Sequence, residues 1–155
     1  HSTIVGVTMP ANSGDREEYY KELLRQAGFK ATPARVEVLR VLRSAGQPLS
    51  AAEVSSRIKR RGVNYVTIYR SLGGFEQKAL IRRVPVKRES TLYEFADSHQ
   101  HHLICSRCGR IETVEGCPVR GIEKLVAQKS RYFSEITSHA LQIYGICDVC
   151  RESGR

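Results

Sequence analysis

Residues 64–84 read NYVTIYRSLGGFEQKALIRRV, and the change of period inside this stretch decides the fold. Over residues 64–78 apolar side chains recur every three positions, at Val66, Tyr69, Leu72 and Phe75. That spacing predicts a helix with one apolar stripe. Its exposed face then offers Tyr65, Thr67, Arg70 and Ser71. Behind the helix, residues 79–84 and 91–95 are rich in β-formers and read as two strands. The turn between them carries Lys87 and Arg88.

Upstream lie three more helices. Residues 16–28 place Tyr19, Tyr20, Leu23, Leu24 and Ala27 on one face, with Gly28 as the stop. Thr32 is a suitable N-cap and Pro33 fits the first helical position. Val38, Leu39 and Leu42 give this second helix its core stripe, and Gly46-Gln47-Pro48 ends it. Ser50-Ala51-Ala52-Glu53 is a capping box that opens a third helix, running to about Arg60 and ended by Gly62. Three helices, then a fourth leading into a β-hairpin, is the order of a winged helix-turn-helix. In that fold the last helix of the bundle enters the DNA major groove. Arginine reads guanine edges or pairs with phosphate, and tyrosine packs on thymine methyls. An ordinary surface helix is the alternative.

Charge separates the chain into two parts. Residues 1–92 carry 17 Lys and Arg against 8 Asp and Glu, and residues 93–155 carry 8 of each. The whole formal charge of +9 therefore sits on the first part. A basic part joined to a neutral, ligand-rich part suggests a polyanion-binding domain beside a sensing or assembly domain. The hydrophobic fraction of 41% is that of a folded chain. No apolar run approaches the ~18 residues of a membrane span, and no signal peptide is visible, so a cytoplasmic protein is expected. Residues 1–14 read as a disordered tail. His1 to Thr8 resemble a tag remnant, and Met9, the single methionine, is the expected natural start.

The second part is organised by cysteines. Cys105-Ser106-Arg107-Cys108 and Cys147-Asp148-Val149-Cys150 each present two thiolates from one tight turn, with 38 residues between the pairs. Two such turns close a tetrahedral shell around one zinc ion, and a filled Cys₄ shell is structural. Two disulfides or redox CxxC motifs are the alternative, but neither secretion nor a thioredoxin-like pattern accompanies them. His99, His101 and His102 precede the first pair and His139 precedes the second, which points to a second metal site. Residues 102–105 and 110–114 read as short strands, and residues 118–130 as a helix burying Ile122, Leu125 and Val126. Residues 135–144 alternate loosely and end at Gly145. Elements this short make a thin core, which a zinc staple would complete. Cys117 is the odd cysteine: a small residue at a helix start, or a thiol with a redox or auxiliary metal role. The fold class is α+β.

The chain resembles the ferric uptake regulator superfamily from about Leu23 to Cys150. The resemblance is carried by Gly28 to Arg35, Leu49 to Glu53, Thr67 to Leu72, His101 to Cys105, Cys108-Gly109 and His139 to Cys147. It implies an N-terminal winged-helix DNA-binding domain over residues 15–96 and a small α/β dimerisation and metal-binding domain over 97–155. It also implies a homodimeric, metal-dependent transcription factor, not an enzyme, which represses metal-homeostasis genes by closing on a palindromic operator in double-stranded DNA. The structural zinc maps onto Cys105, Cys108, Cys147 and Cys150. The family's regulatory set in the second domain falls on His99, His101, Glu123 and His139, with Glu112 and Glu115 as fallback carboxylates. A second regulatory site linking the domains keeps only Glu94 and His102, because Gln47-Pro48 and Gln100 stand where histidines are expected. Lys30, Arg35, Tyr65, Thr67, Tyr69 and Arg70 are the expected DNA contacts.

Imidazole and carboxylate ligands suit Fe(II), Zn(II), Mn(II) and Ni(II). Zinc sensors of the superfamily often add a cysteine to the regulatory site, and none lies near Glu94 in the sequence, so iron is expected ahead of zinc. A zinc-uptake regulator or a peroxide sensor of the same superfamily are the alternatives. A zinc hydrolase is disfavoured by the lack of an HExxH or comparable general-base motif.

Overall fold

The computed structural model describes residues 13–58, 62–84, 90–96, 101–114, 116–137 and 139–154. The chain divides into two compact units, His1–Ser98 and His99–Arg155. It is α+β, as expected.

In the first unit, α1 (Ser13–Gln26), α2 (Pro33–Ser44), α3 (Ala51–Arg57) and α4 (Tyr65–Gln77) pack beside a three-stranded antiparallel sheet. Its strands are β1 (Leu49–Ser50), β2 (Ile81–Val84) and β3 (Leu92–Phe95), in the order β1-β3-β2. Several helix boundaries have a local cause. After α1, Phe29 N–H donates to Leu24 C=O at 2.8 Å and Gly28 N–H to Arg25 C=O at 2.9 Å, with Gly28 at φ +82°. That is a Schellman stop, which needs a left-handed residue. Thr32 Oγ1 accepts from Arg35 N–H at 3.4 Å, with Pro33 in the first turn. The Ser50–Glu53 capping box closes in both directions, at 2.7 and 3.2 Å. Asn64 Oδ1 caps α4 through Thr67 N–H at 2.8 Å.

The core joins Tyr20, Leu24, Val38, Leu39, Leu49, Val54, Ile68, Leu72, Phe75 and Ile81. Each large apolar side chain removed from water here contributes on the order of 1.5–3 kcal/mol. Phe29 stacks edge-on against Phe75, at 5.4 Å between centroids. A Cβ on Gly74 would lie 3.2 Å from that Phe29 ring, so the bare backbone is what lets the 28–31 segment approach α4.

Two expectations for α4 are corrected. The buried residues are Ile68, Ser71, Leu72 and Phe75, whereas Val66 and Tyr69 are exposed. Steps of four and three residues hold 68, 72 and 75 on one face, but repeated steps of three rotate steadily around a 3.6-residue helix. Ser71 is not on the exposed face either: its hydroxyl donates to Thr67 C=O at 2.7 Å. The two-residue strand β1, paired as Leu49 to Tyr93 and Ser50 to Leu92, was not anticipated from sequence. The turn bearing Lys87 and Arg88 lies outside the described residues.

The second unit holds β4 (His101–Cys105), β5 (Ile111–Val114), α5 (Ile122–Lys129), β6 (Gln142–Gly145) and α6 (Asp148–Glu152). β4 is central, antiparallel to β5 and parallel to β6. Here too an expectation fails. α5 forms, but it starts at Ile122 and has no buried residue. Leu125 is 52% exposed and Val126 47%. The apolar stripe read from sequence exists, but among the described residues the unit covers it only in part.

Candidate metal centres and nucleic-acid surface

Parallel pairing of β4 with β6 sets Cys105 opposite Gly145, so both CxxC turns leave the sheet at the same end. Ser106 N–H donates to Gly145 C=O at 2.8 Å and binds the first turn to β6. Arg107 Nη1 donates to Cys150 C=O at 3.0 Å and binds it to α6. The four sulfurs of Cys105, Cys108, Cys147 and Cys150 lie within 4.8 Å of one another. Cys108 Sγ and Cys147 Sγ are 3.7 Å apart. Two thiolates on one tetrahedral zinc, each about 2.3 Å from the ion, sit about 3.8 Å apart. A disulfide would need about 2.05 Å, and all five cysteines are free.

The electrostatics agree. The backbone amides of Cys108 and Cys147 hold the Cys105 thiol down to about 5. The Cys150 thiol is pushed up to about 12, first by its hydrogen bond to the Cys108 sulfur and then by burial. Four sulfurs this close cannot all ionise alone; a dication among them removes the conflict. The residues therefore fit a structural zinc.

A second cluster forms around His139. Its Nδ1 lies 2.6 Å from Glu123 Oε1, and its Nε2 lies 3.4 Å from Cys117 Sγ. The His139 ring stacks on the fully buried His101 ring at 5.1 Å, with 13° between planes. The ligand atoms of His101, Cys117 and His139 fall within 4.8 Å of one another. Each member arrives on a separate element. His101 opens β4, Cys117 follows β5, Glu123 sits in the first turn of α5, and His139 precedes β6. The structure thus brings together His101, Glu123 and His139 of the expected regulatory set. His99 and the fallback Glu115 lie outside the described residues, and Glu112 is not among the clustered ligands. Cys117 joins the cluster, although the sequence reading kept it apart from the regulatory ligands. Its signal was its place between two histidine-bearing segments, flanked by Gly116 and Pro118.

The remaining pair falls in different units. Glu94 is buried on β3 and pairs with Arg82, its register partner on β2. His102 is buried on β4.

On the first unit, Tyr65 and Tyr69 are 50% and 60% exposed and stack at 6.4 Å. Arg70 and Lys30 are exposed, and Thr67 is half-buried. Arg35 is engaged locally: its guanidinium lies over Phe29 at 5.1 Å and donates to Lys30 C=O at 3.1 Å. It braces the loop that carries Lys30. No helix among the described residues is long and apolar enough to cross a membrane.

The chain is similar to known proteins in sequence and in fold. The family model described as "Ferric uptake regulator family" matches residues 26–144. The chain is 34% identical to a ferric uptake regulation protein of Legionella pneumophila, over 83% of this chain and 96% of that one. It is 27% identical to the peroxide-responsive repressor PerR of Staphylococcus epidermidis, over 84% and 87%. The structure of the Helicobacter pylori ferric uptake regulator, which has three functional metal binding sites, superposes with a TM-score of 0.70 at 27% identity, covering 89% of this chain and 93% of that one.

Proposed function

The chain belongs to the ferric uptake regulator family of metal-responsive transcription regulators, which are not enzymes, and from that premise we propose a cytoplasmic, homodimeric repressor that binds palindromic operator DNA when its regulatory site is loaded. Its targets on this reading are genes of metal homeostasis. One observation carries it: the small second unit holds a closed four-thiol set and, separately, a histidine-centred set with room for a different role. The first set staples and the second senses.

The residues suggest how sensing would work. His101, Cys117, Glu123 and His139 come from four separate segments, so an ion among them ties those segments into one arrangement. Any state of the dimer that prefers that arrangement gains population by the difference in metal affinity between states. Tyr65, Tyr69, Arg70 and Lys30 supply an exposed aromatic and basic surface for DNA. The exposed apolar side chains of α5 and β6, Leu125, Val126, Ile143 and Tyr144, support a second copy as partner.

For the metal, Cys117 beside His139 favours zinc, because thiolate is a softer ligand than carboxylate. Iron is the second reading, favoured by the identity to the Legionella ferric uptake regulation protein. The test is selection from a pool of random DNA duplexes by anaerobically purified protein, with each divalent metal and with chelator. A palindrome enriched only with metal is the expected result. Equal enrichment in chelator, or none at all, overturns the reading.

A further inference from the structure

We propose that Cys117 is a direct thiolate ligand of the regulatory metal and that Glu123 stands behind His139 as its orienting carboxylate, so that the site takes nitrogen and sulfur ligands and suits zinc-class ions. The proposal rests on the reading of the His101–His139 cluster as the regulatory site.

Glu123 and Cys117 approach opposite edges of one imidazole. The carboxylate meets Nδ1 at 2.6 Å and the thiol meets Nε2 at 3.4 Å. A carboxylate at that distance fixes the proton on Nδ1 and leaves the Nε2 lone pair facing the sulfur. Carboxylate–histidine–metal arrangements have this form, with the carboxylate outside the coordination sphere. On one tetrahedral zinc, a sulfur at about 2.3 Å and an imidazole nitrogen at about 2.0–2.1 Å lie about 3.5 Å apart. The observed 3.4 Å matches that edge. A thiol–imidazole hydrogen bond would have a similar length, so the distance does not decide alone. The third donor does: His101, wholly buried on β4, brings its ring onto the same spot.

The backbone around Cys117 is built to present it. Gly116 takes φ +75° although a Cβ there would meet nothing within 4 Å, so the glycine serves conformation and not space. Pro118 locks its own φ and confines Cys117 to extended backbone. The left-handed glycine and the residue held extended before proline together set the direction in which the sulfur leaves the chain. Thiolate with two imidazoles selects zinc over Fe(II) and Mn(II), which an all-nitrogen-and-oxygen set would accept.

The experiment uses full-length protein with zinc in the Cys₄ site and the second site emptied by mild chelation, to which one equivalent of Co(II) is added. Wild type should develop a sulfur-to-cobalt charge-transfer band in the near ultraviolet. Cys117→Ser should lose that band while keeping one zinc per chain. Glu123→Gln should keep the band, with metal affinity about 10- to 100-fold weaker. A wild-type spectrum without the band overturns the proposal, and needs no variant to fold. So does a band that survives in Cys117→Ser or vanishes in Glu123→Gln. Operator binding, titrated separately, addresses the function: a sulfur band with metal-independent DNA binding keeps the ligand assignment and removes the regulatory reading. Metal-activated DNA binding without the band does the reverse.

Discussion

Tyr69 belongs to two incompatible patterns, and its 60% exposure separates them. Counted every third residue it falls on the core stripe; counted from Ile68, Leu72 and Phe75 it falls outside. Tyr69→Ala should therefore leave thermal stability nearly unchanged and weaken operator binding, read by melting and by DNA titration on the same preparation. A buried tyrosine would give the opposite, a loss of several kcal/mol in folding. Arg70→Ala should weaken binding by about 1–3 kcal/mol if the guanidinium reads a base, and should lower the salt slope by about one if it meets phosphate. Wild-type affinity and slope together would remove Arg70 from the interface. Ala79 supplies a stability test. It ends α4 at φ +55°, with Leu80 N–H donating to Phe75 C=O at 2.9 Å. Left-handed backbone costs a non-glycine residue roughly 1–2 kcal/mol, and glycine gives back about half of that in chain entropy. Ala79→Gly should thus stabilise the first unit by about 0.5–1 kcal/mol in denaturant titration.

At the scale of elements, what the sequence made legible was local. The Thr32 cap, the Ser50–Glu53 box and the Gly28 stop each act within five residues, and all form as read. Asn64→Ala should remove the bond to Thr67 N–H and fray the first turn of α4, at about 1 kcal/mol. Because Tyr65 sits in that turn, operator affinity should fall with it, measurable as a joint loss in melting and DNA titration. Non-local partners were not legible. β1 is too short to show alternation, and it exists because Leu49 finds Tyr93. α5 carries a helical apolar stripe, but periodicity states only that a face wants cover, not that the same chain provides it. The Cys₄ set could be read because its ligands come in tight pairs, each spacing visible at once. Of the His101–Cys117–His139 set, the two histidines were legible only through the family resemblance, and it is the folded sheet that brings Cys117 to them.

At the scale of the whole molecule, the two units differ in what holds them. The first has a continuous apolar core with every helix start after α1 capped; the second has short strands and a four-sulfur cluster. Cys105→Ser or Cys147→Ser should accordingly cost the zinc and the fold of residues 99–155 together, while the first unit keeps its cooperative melt. Metal content, sedimentation and a two-step unfolding trace would check this; a variant that keeps its zinc and its dimer would contradict it. The parallel partnership of β4 and β6 also sets an order of events during synthesis. Cys147 trails Cys105 by 42 residues, a delay of roughly 2–8 seconds at translation speeds of about 5–20 residues per second. Through that interval the first unit can already close, while the first pair of thiols waits on an unfinished sheet. An ion held by all four sulfurs needs the last strand in place beside β4, so a zinc ion there would couple metal supply to completion of the second unit.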